Sequence, residues 1–212
     1  MSQRQAGAGQ GMKAPLGVIL AGGLARRMGG GDKALLPLGS GTLLSHVIAR
    51  FAPQVGALAL NANGAPERFD TDLPVLADSI DGFVGPLAGV LAGLDWAAEQ
   101  GADAVVSAAA DTPFLPPDLV VRLLYAAEQQ GAPIALAASG NPARFQPTFG
   151  LWPVSLRDDL RAALKGGLRK ILDWTDRHGA AIAAFDAAPF DPFFNINRPE
   201  DLIRAEKLLK GT

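Results

Sequence analysis

Arg26, Arg27 and Lys33 lie close together in a glycine-rich stretch, RRMGGGDK, and they set the first expectation about chemistry. The first fifty positions carry six bases (Arg4, Lys13, Arg26, Arg27, Lys33 and Arg50) and one acid, Asp32, a local charge of +5 in a chain whose total is −2. Residues 51 to 212 therefore carry −7. An anion is expected at the front of the chain, and so small a cationic cluster suits a phosphorylated small molecule better than a polymer. Gly22 and Gly23 let the backbone turn sharply and leave N–H groups free to cradle anionic oxygens, while Arg26 and Lys33 would neutralise phosphates. Far along the chain, Asp111 follows an apolar run and precedes Thr112-Pro113. A carboxylate at such a strand end is the type of ligand that Mg²⁺ takes, one or two at a time, together with substrate phosphates. These residues together describe a site for a nucleoside triphosphate.

Composition removes the main competitors. With no cysteine, disulfide scaffolds, thiolate zinc sites, iron–sulfur clusters and cysteine nucleophiles are excluded, and two histidines argue against an all-histidine metal centre. A net charge of −2 is unsuited to general binding of nucleic acid or an anionic membrane. No run reaches the roughly 18 apolar residues of a membrane span, because Asp95 and Asp111 interrupt the later apolar stretches. Residues 1–13 are polar and glycine-rich without apolar period and read as a disordered leader. The stretch 14–25 has the apolar character of a signal-peptide core, but cleavage after it would strand RRMGGGDK, so a cytoplasmic location is expected.

The elements that must position these residues alternate in type. Gly17 to Ala21 is a short continuous apolar run, the form of a parallel strand buried on both faces. Thr42 can cap a helix carrying Leu43, Leu44, Val47, Ile48 and Phe51. Strands are expected at 55–60, 73–77 and 104–110, and helices at 85–100 and from Pro116-Pro117 onward. In the second half, 134–138 and 145–152 read as paired strands, 180–185 as a further strand and 200–210 as a closing helix. The pattern predicts an α/β fold: a single domain over 14–212, with a mostly parallel twisted sheet, helices on both faces and an antiparallel portion in the second half. In such sheets ligands bind at the carboxyl ends of strands, which selects residues 22–33, Asn61 to Asn63, 78–85 and Asp111.

Two common phosphate motifs fail here. The P-loop pattern is absent, since Lys33 lies between Asp32 and Ala34. A relaxed dinucleotide pattern at 29–34 lies well past the strand end, is soon followed by Pro37, and lacks an acid about 20 residues later, which weakens a nicotinamide oxidoreductase.

The segment from Leu20 to Leu36, LAGGLARRMGGGDKALL, resembles the signature loop of nucleotidyltransferases. Together with Asn61-Ala-Asn63, Asp78-Ser79, GPLAG at 85–89, Asp111-Thr-Pro113 and NINRPEDL at 195–202, it is most similar to the molybdenum cofactor guanylyltransferase family. Ala25 departs from it, where many members carry a small hydroxyl residue. The resemblance implies a Rossmann-like nucleotidyltransferase fold. It also implies transfer of GMP from GTP to the terminal phosphate of molybdopterin, with release of pyrophosphate and with Mg²⁺ as cofactor. By family position, Leu20, Ala21, Gly22 and Gly23 contact the nucleotide, Arg26 and Lys33 its phosphates, and Asn61 and Asp78 its base or ribose, while Asp111 holds the metal. For the acceptor, Arg169 and Lys170 resemble a basic segment near the pterin phosphate, and Arg144, Gln146, Asn195 and Asn197 are further candidates. Transient contact with molybdenum-insertion or molybdoenzyme-maturation proteins is also implied.

Plainer roles stay open for the same residues. Lys33 could pair with a surface carboxylate, Asp111 could form an Asx turn before Pro113, and Asn195 and Asn197 could do so before Pro199. Asp78 could cap a helix, Gly85 to Gly89 could serve helix packing, His46 could be an ordinary half-buried histidine, and His178 a helix end. The functional alternatives are a cytidylyltransferase for the same cofactor, a sugar-phosphate nucleotidyltransferase, and a noncatalytic nucleotide- or cofactor-binding module.

Overall fold

In the computed structural model, residues 14–22, 31–80, 82 and 85–211 are described. The expected leader, together with Gly23, Arg26 and Arg27, lies outside the described residues. The apolar run near the start becomes β1 (Leu16–Leu20). After a 3-10 turn at Lys33–Leu35, a ribbon of β2 (Pro37–Leu38) and β3 (Gly41–Thr42) leads into α1 (Leu43–Phe51). Thr42 caps that helix reciprocally: Ser45 N donates to Thr42 Oγ1 at 3.1 Å, and Thr42 N donates to Ser45 Oγ at 2.8 Å. Then come β4 (Leu58–Asn61), β5 (Val75–Leu76), α2 (Pro86–Glu99), β6 (Ala104–Ala109) and α3 (Leu119–Gln130). The second half supplies β7 (Ile134–Ser139), β8 (Arg144–Pro153), α4 (Arg157–Lys165), α5 (Ile171–His178), β9 (Ala180–Phe185) and α6 (Pro199–Lys210).

Seven strands form one sheet in the order β5-β4-β1-β6-β8-β7-β9. All neighbours pair in parallel except β8, which runs antiparallel between β6 and β7. The chain leaves β1 toward β4 and β5, then returns to place β6 on the other side of β1. That reversal is the topological switch point at which open α/β sheets bind ligands. Because β8 is reversed, its first residue, Arg144, opposite Ser139 at the end of β7, joins the carboxyl edge of the parallel strands.

Alternate residues of β1 feed opposite cores, as a strand buried on both faces requires. Ile19 packs in a cluster with Val47 and Phe51 of α1 and Leu119 and Leu123 of α3. Val18 packs in another with Leu87, Val90 and Leu94 of α2, Leu160 of α4 and Trp174 of α5. A third, smaller cluster of Leu38, Leu43, Phe114, Ile196 and Ala205 ties the ribbon and α6 to the loop after β6. This cluster fixes the ribbon after Lys33 against the segment after Asp111.

Several boundaries differ from the sequence expectation for identifiable reasons. The strand expected from Val55 begins at Leu58, because Ala52–Gln54 continues past α1 as a 3-10 turn and Gly56 N is taken by Pro15 O at 3.0 Å. The strand expected over 73–77 shrinks to Val75–Leu76 at the sheet edge, where Pro74 has no N–H to donate and offers only its carbonyl, to Leu60 N at 2.9 Å. The helix expected from Pro116 starts at Leu119. His46, on α1, meets the Leu38 carbonyl through Nε2 at 2.9 Å. His178 does end a helix, and its ring lies 2.8 Å from Asp159 Oδ1. The Trp174 Nε1 hydrogen bond, with His178 beside it, lowers the Asp159 carboxyl below its ordinary value.

One polar group sits in the middle of the sheet. Ser107 is fully buried; its hydroxyl donates to Thr148 O and accepts from Trp152 Nε1, both at 2.8 Å. Ser107→Ala would leave the buried indole N–H of Trp152 without its partner, a loss that typically costs about 1–3 kcal/mol. Chemical denaturation should show that destabilisation, and an unchanged midpoint would mean that the indole finds another acceptor.

Candidate active site at the carboxyl edge of the sheet

The ladder continues just past the strands, with Ala21 N donating to Asn61 O at 2.9 Å and Ala110 N to Leu20 O at 3.1 Å. The backbone of Leu20, Ala21 and Gly22 thus emerges between the ends of β4 and β6. Ala21 is buried, whereas Gly22 is exposed and a Cβ there would meet nothing within 4 Å. The chain returns at Lys33, whose Nζ lies 2.5 Å from Asp111 Oδ2 and 2.5 Å from Asn197 Oδ1. Three segments far apart in sequence meet at that ammonium.

The segment carrying Asn197 is fixed from both sides. Ile196 N donates to Asp111 O at 3.0 Å, and the Thr112 hydroxyl reaches Asn195 Oδ1 at 2.5 Å. Asp201, in the first turn of α6, accepts from the backbone N of both Asn197 and Arg198 at 2.9 Å each. The turn before Pro199 is therefore built by Asp201, and the two asparagine side chains reach the strand end instead. Asp111 likewise turns its carboxylate to Lys33. The pair is well shielded, with side-chain exposures of 13% for Lys33 and 24% for Asp111.

A second group forms at the ends of β4 and β5. Asn61 is buried and donates Nδ2 to Leu76 O at 3.1 Å and to Asp78 Oδ1 at 3.0 Å. Asn63 Nδ2 donates to Asp78 Oδ2 at 2.8 Å, and Asp78 N donates back to Asn63 Oδ1 at 2.9 Å. Asp78 is thereby held as an oriented acceptor, with lone pairs to spare, since a carboxylate has about four acceptor positions. Gly89 makes room for this arrangement: a Cβ there would collide with Asn61 Oδ1. Next to Asp78, Ser79 Oγ donates to Asp95 Oδ2 at 2.6 Å, and Arg161 of α4 also binds the Asp95 carboxylate.

The six acceptor candidates do not gather in one place. Arg144 bonds Asp191 at 2.9 Å, Gln146 bonds Ser139 Oγ at 3.1 Å, and both line one cavity with Asn195. Arg169 instead donates to the Leu168 carbonyl at 2.8 Å, with Lys170 at the cap of α5. The Arg169 carbonyl lies 4.0 Å from where a Gly85 Cβ would be, beside the start of α2. Asn197 stays with Lys33.

A hard divalent cation asks for oxygen ligands, and Asp111 and Asn197 present one oxygen each around the place where the Lys33 ammonium now sits. Among the described residues no group of three or more His, Asp or Glu side chains could enclose a metal. The donor set thus fits a cation that brings most of its ligands along as phosphates and waters, as Mg²⁺ does.

The family model described as the MobA-like NTP transferase domain matches residues 17–181. The chain belongs to that family. It is 54% identical over 201 residues to the molybdenum cofactor guanylyltransferase of Mesorhizobium japonicum, covering 92% of this chain and 96% of the relative. Among solved structures, molybdopterin-guanine dinucleotide biosynthesis protein A from Archaeoglobus fulgidus superimposes with a TM-score of 0.70 at 26% identity, covering 93% of this chain and all of that one. Rv0371c from Mycobacterium tuberculosis, in a complex with manganese, has the same fold at a TM-score of 0.61 and 18% identity, covering 92% of this chain and 99% of that one. For this MobA-like chain, the matched family span ends at residue 181, so Asn195 and Asn197 lie beyond it although Asn197 meets Lys33 directly.

Sequence reasoning missed Arg68. Its Nε lies 2.5 Å from Asp32 Oδ2 and its Nη2 donates to Asn63 O at 2.6 Å, which ties the residue before Lys33 to the loop that holds Asp78. A signal was there: Arg68 is the one base between Arg50 and Arg122. Asp95 and Asp201 were also missed, and their side-chain partners could be seen only in the fold.

Proposed function

We propose that this chain transfers GMP from GTP to the terminal phosphate of molybdopterin, with Mg²⁺, yielding the guanine dinucleotide form of the cofactor and pyrophosphate. The observation that carries the reading is the convergence of Lys33, Asp111 and Asn197 at the switch point, next to the exposed backbone of Gly22 at the end of β1. The guanylyltransferase name of the 54% identical relative supports the choice of substrates.

The attacking group in this reaction is already an anionic phosphate, so no strong general base is needed. The chain's task is to position two phosphorylated substrates and offset their charge. Lys33 binds the triphosphate, and the backbone N–H groups that follow Ala21 donate to its oxygens, with Gly23 and Arg26 assigned to the same loop. Asp111 is the metal ligand and Asn197 offers a neutral oxygen beside it. When bound, Mg²⁺ supplies charge stabilisation on the phosphates. Asp78, held in place by Asn61 and Asn63, presents two carboxylate oxygens to the base. Guanine offers an N–H and an adjacent amino group side by side, a match for a bidentate acceptor, whereas cytosine offers a single amino group. That feature favours GTP over CTP. The same reading places the enzyme in the cytoplasm, in transient contact with proteins that insert molybdenum or mature molybdoenzymes. No helix among the described residues is long and apolar enough to cross a membrane.

The test is pyrophosphate release with GTP, CTP, ATP and UTP in turn, with Mg²⁺ and with or without molybdopterin. GTP-specific release that requires the pterin is expected; preferred use of CTP, or release driven by a sugar phosphate, refutes the proposal. Gly89→Ala probes base recognition separately, because the added methyl displaces Asn61 and loosens Asp78. Hydrogen bonds to charged groups contribute about 1.5–3 kcal/mol, so KM for GTP should rise about ten-fold or more while kcat changes less. Unaltered KM in a folded variant would remove Asp78 from base recognition.

A further inference from the structure

Between the first residues of β8, the segment from Phe190 to Asn195, and α6 lies a cavity of about 480 Å³. Its walls include Arg144, Phe145, Gln146, Phe194, Asn195 and Arg204. We propose that this cavity receives the fused ring system of the pterin acceptor, an inference that rests on the guanylyltransferase reading above.

Size, chemistry and position agree. The volume lies within the range of roughly 300–1,000 Å³ that is usual for small-molecule sites. Phe145 is 49% exposed at the cavity, although its neighbours in sequence along β8 turn the other large rings, Phe149 and Trp152, into the cores. An aromatic side chain left uncovered beside a cavity is suited to a planar ligand that stacks on it. The guanidinium of Arg204 lies over the Phe194 ring, 4.9 Å from its centroid, so a second wall also offers flat, polarisable surface. Arg144 is anchored by Asp191 at 2.9 Å, and Arg204 adds a second cation, so the lining carries a net positive charge toward an anionic acceptor. Gln146 and Asn195 contribute amide groups, which can both donate and accept, as the amide-like edge of a pterin demands.

Position decides where the phosphate goes. Asn195 lines the cavity and its Oδ1 is bonded to Thr112, the residue after Asp111. A ring system in the cavity therefore directs its phosphate past Asn195 to the oxygens and ammonium at Asp111 and Lys33. The aromatic floor belongs to the core on the α1 and α3 side, through Phe149, Phe185 and Phe193. Leu168, before Arg169 and Lys170, packs in the cluster on the α2 and α5 side. The two groups of acceptor candidates thus lie on opposite faces of the sheet, and the cavity assigns the ring to the Phe145 group.

The experiment uses the full chain and the intrinsic fluorescence of 6-hydroxymethylpterin as the probe, with a fluorescent GTP analogue as a second ligand. Phe145→Ala and Arg204→Ala change exposed side chains and should leave folding and GTP-analogue affinity intact. Each is expected to weaken pterin binding about ten-fold, the order typical of a lost stacking contact, and to raise KM for molybdopterin similarly without moving KM for GTP. Unchanged pterin binding and unchanged KM for molybdopterin in both variants, or a loss confined to Arg169→Ala and Lys170→Ala, overturns the cavity assignment alone. Should the wild-type chain release no pyrophosphate from GTP with any pterin acceptor, the guanylyltransferase reading fails, and the cavity assignment falls with it.

Discussion

Asp111→Asn is expected to lower GTP-dependent pyrophosphate release by about 10²- to 10³-fold, the range seen when one preorganised electrostatic contact to a reacting group is removed. The substitution keeps the size of the side chain and one oxygen but removes the negative charge. It tests the carboxylate rather than the packing. Lys33 would retain its 2.5 Å contact with Asn197, and the backbone bond from Ile196 N to Asp111 O does not involve the side chain, so the strand end should keep its shape. The shielded Lys33 ammonium would lose one charged hydrogen bond, about 1.5–3 kcal/mol, so the melting temperature should fall by several degrees while the chain stays folded at assay temperature. A coupled pyrophosphate assay beside a thermal melt separates the two effects. Turnover near that of the unaltered chain, in a folded protein, would remove Asp111 from the metal site.

That the sequence could point to this carboxylate and to Lys33, yet not to their contact, follows from the kind of information each carries. Local patterns end at chain breakers, so β1, α1 and β9 were legible from short apolar runs, the Thr42 cap and glycine or proline punctuation. The edge strand β5 was overestimated because its pairing depends on one neighbour, β4, and on Pro74, which cannot donate. Strand order is not a local property. Lys33 and Asp111 are 78 positions apart, and they meet only because β6 pairs directly with β1 after the chain has gone out to β5 and back. The signature loop named Lys33, and the strand end with its Asp111-Thr-Pro113 segment named Asp111, but the contact with Asn197, the hold of Asp201 on its backbone and the bridge made by Arg68 required the fold. Motifs identify residues that touch ligands more readily than residues that hold those residues still, because many side chains can do the holding and each does it from a different place.

Lys33→Met separates two duties of one side chain and is expected to move them in opposite directions. Triphosphate use should fall by about 10²-fold or more, because a cation that offsets charge on the phosphates is lost while the length and packing of the stem are kept. Affinity for Mn²⁺ in the absence of nucleotide should rise instead. The Lys33 ammonium lies 2.5 Å from both Asp111 Oδ2 and Asn197 Oδ1, the same oxygens that fit a divalent cation, so a metal arriving alone must displace a positive charge. Two unit charges 4 Å apart interact by about 4 kcal/mol at an effective dielectric of 20, and relaxation of the flexible lysine reduces the net penalty. Relieving even about 1.4 kcal/mol of it corresponds to ten-fold tighter binding. On the proposed reading, a bound triphosphate would offer the lysine a better partner than Asp111, and the carboxylate would then be free to hold the metal. Titration of Mn²⁺ by electron paramagnetic resonance, with and without a nonhydrolysable GTP analogue, reads both effects. Nucleotide should strengthen Mn²⁺ binding in the unaltered chain far more than in Lys33→Met. Equal Mn²⁺ affinities of the two nucleotide-free proteins would show that the ammonium does not stand in the metal's place.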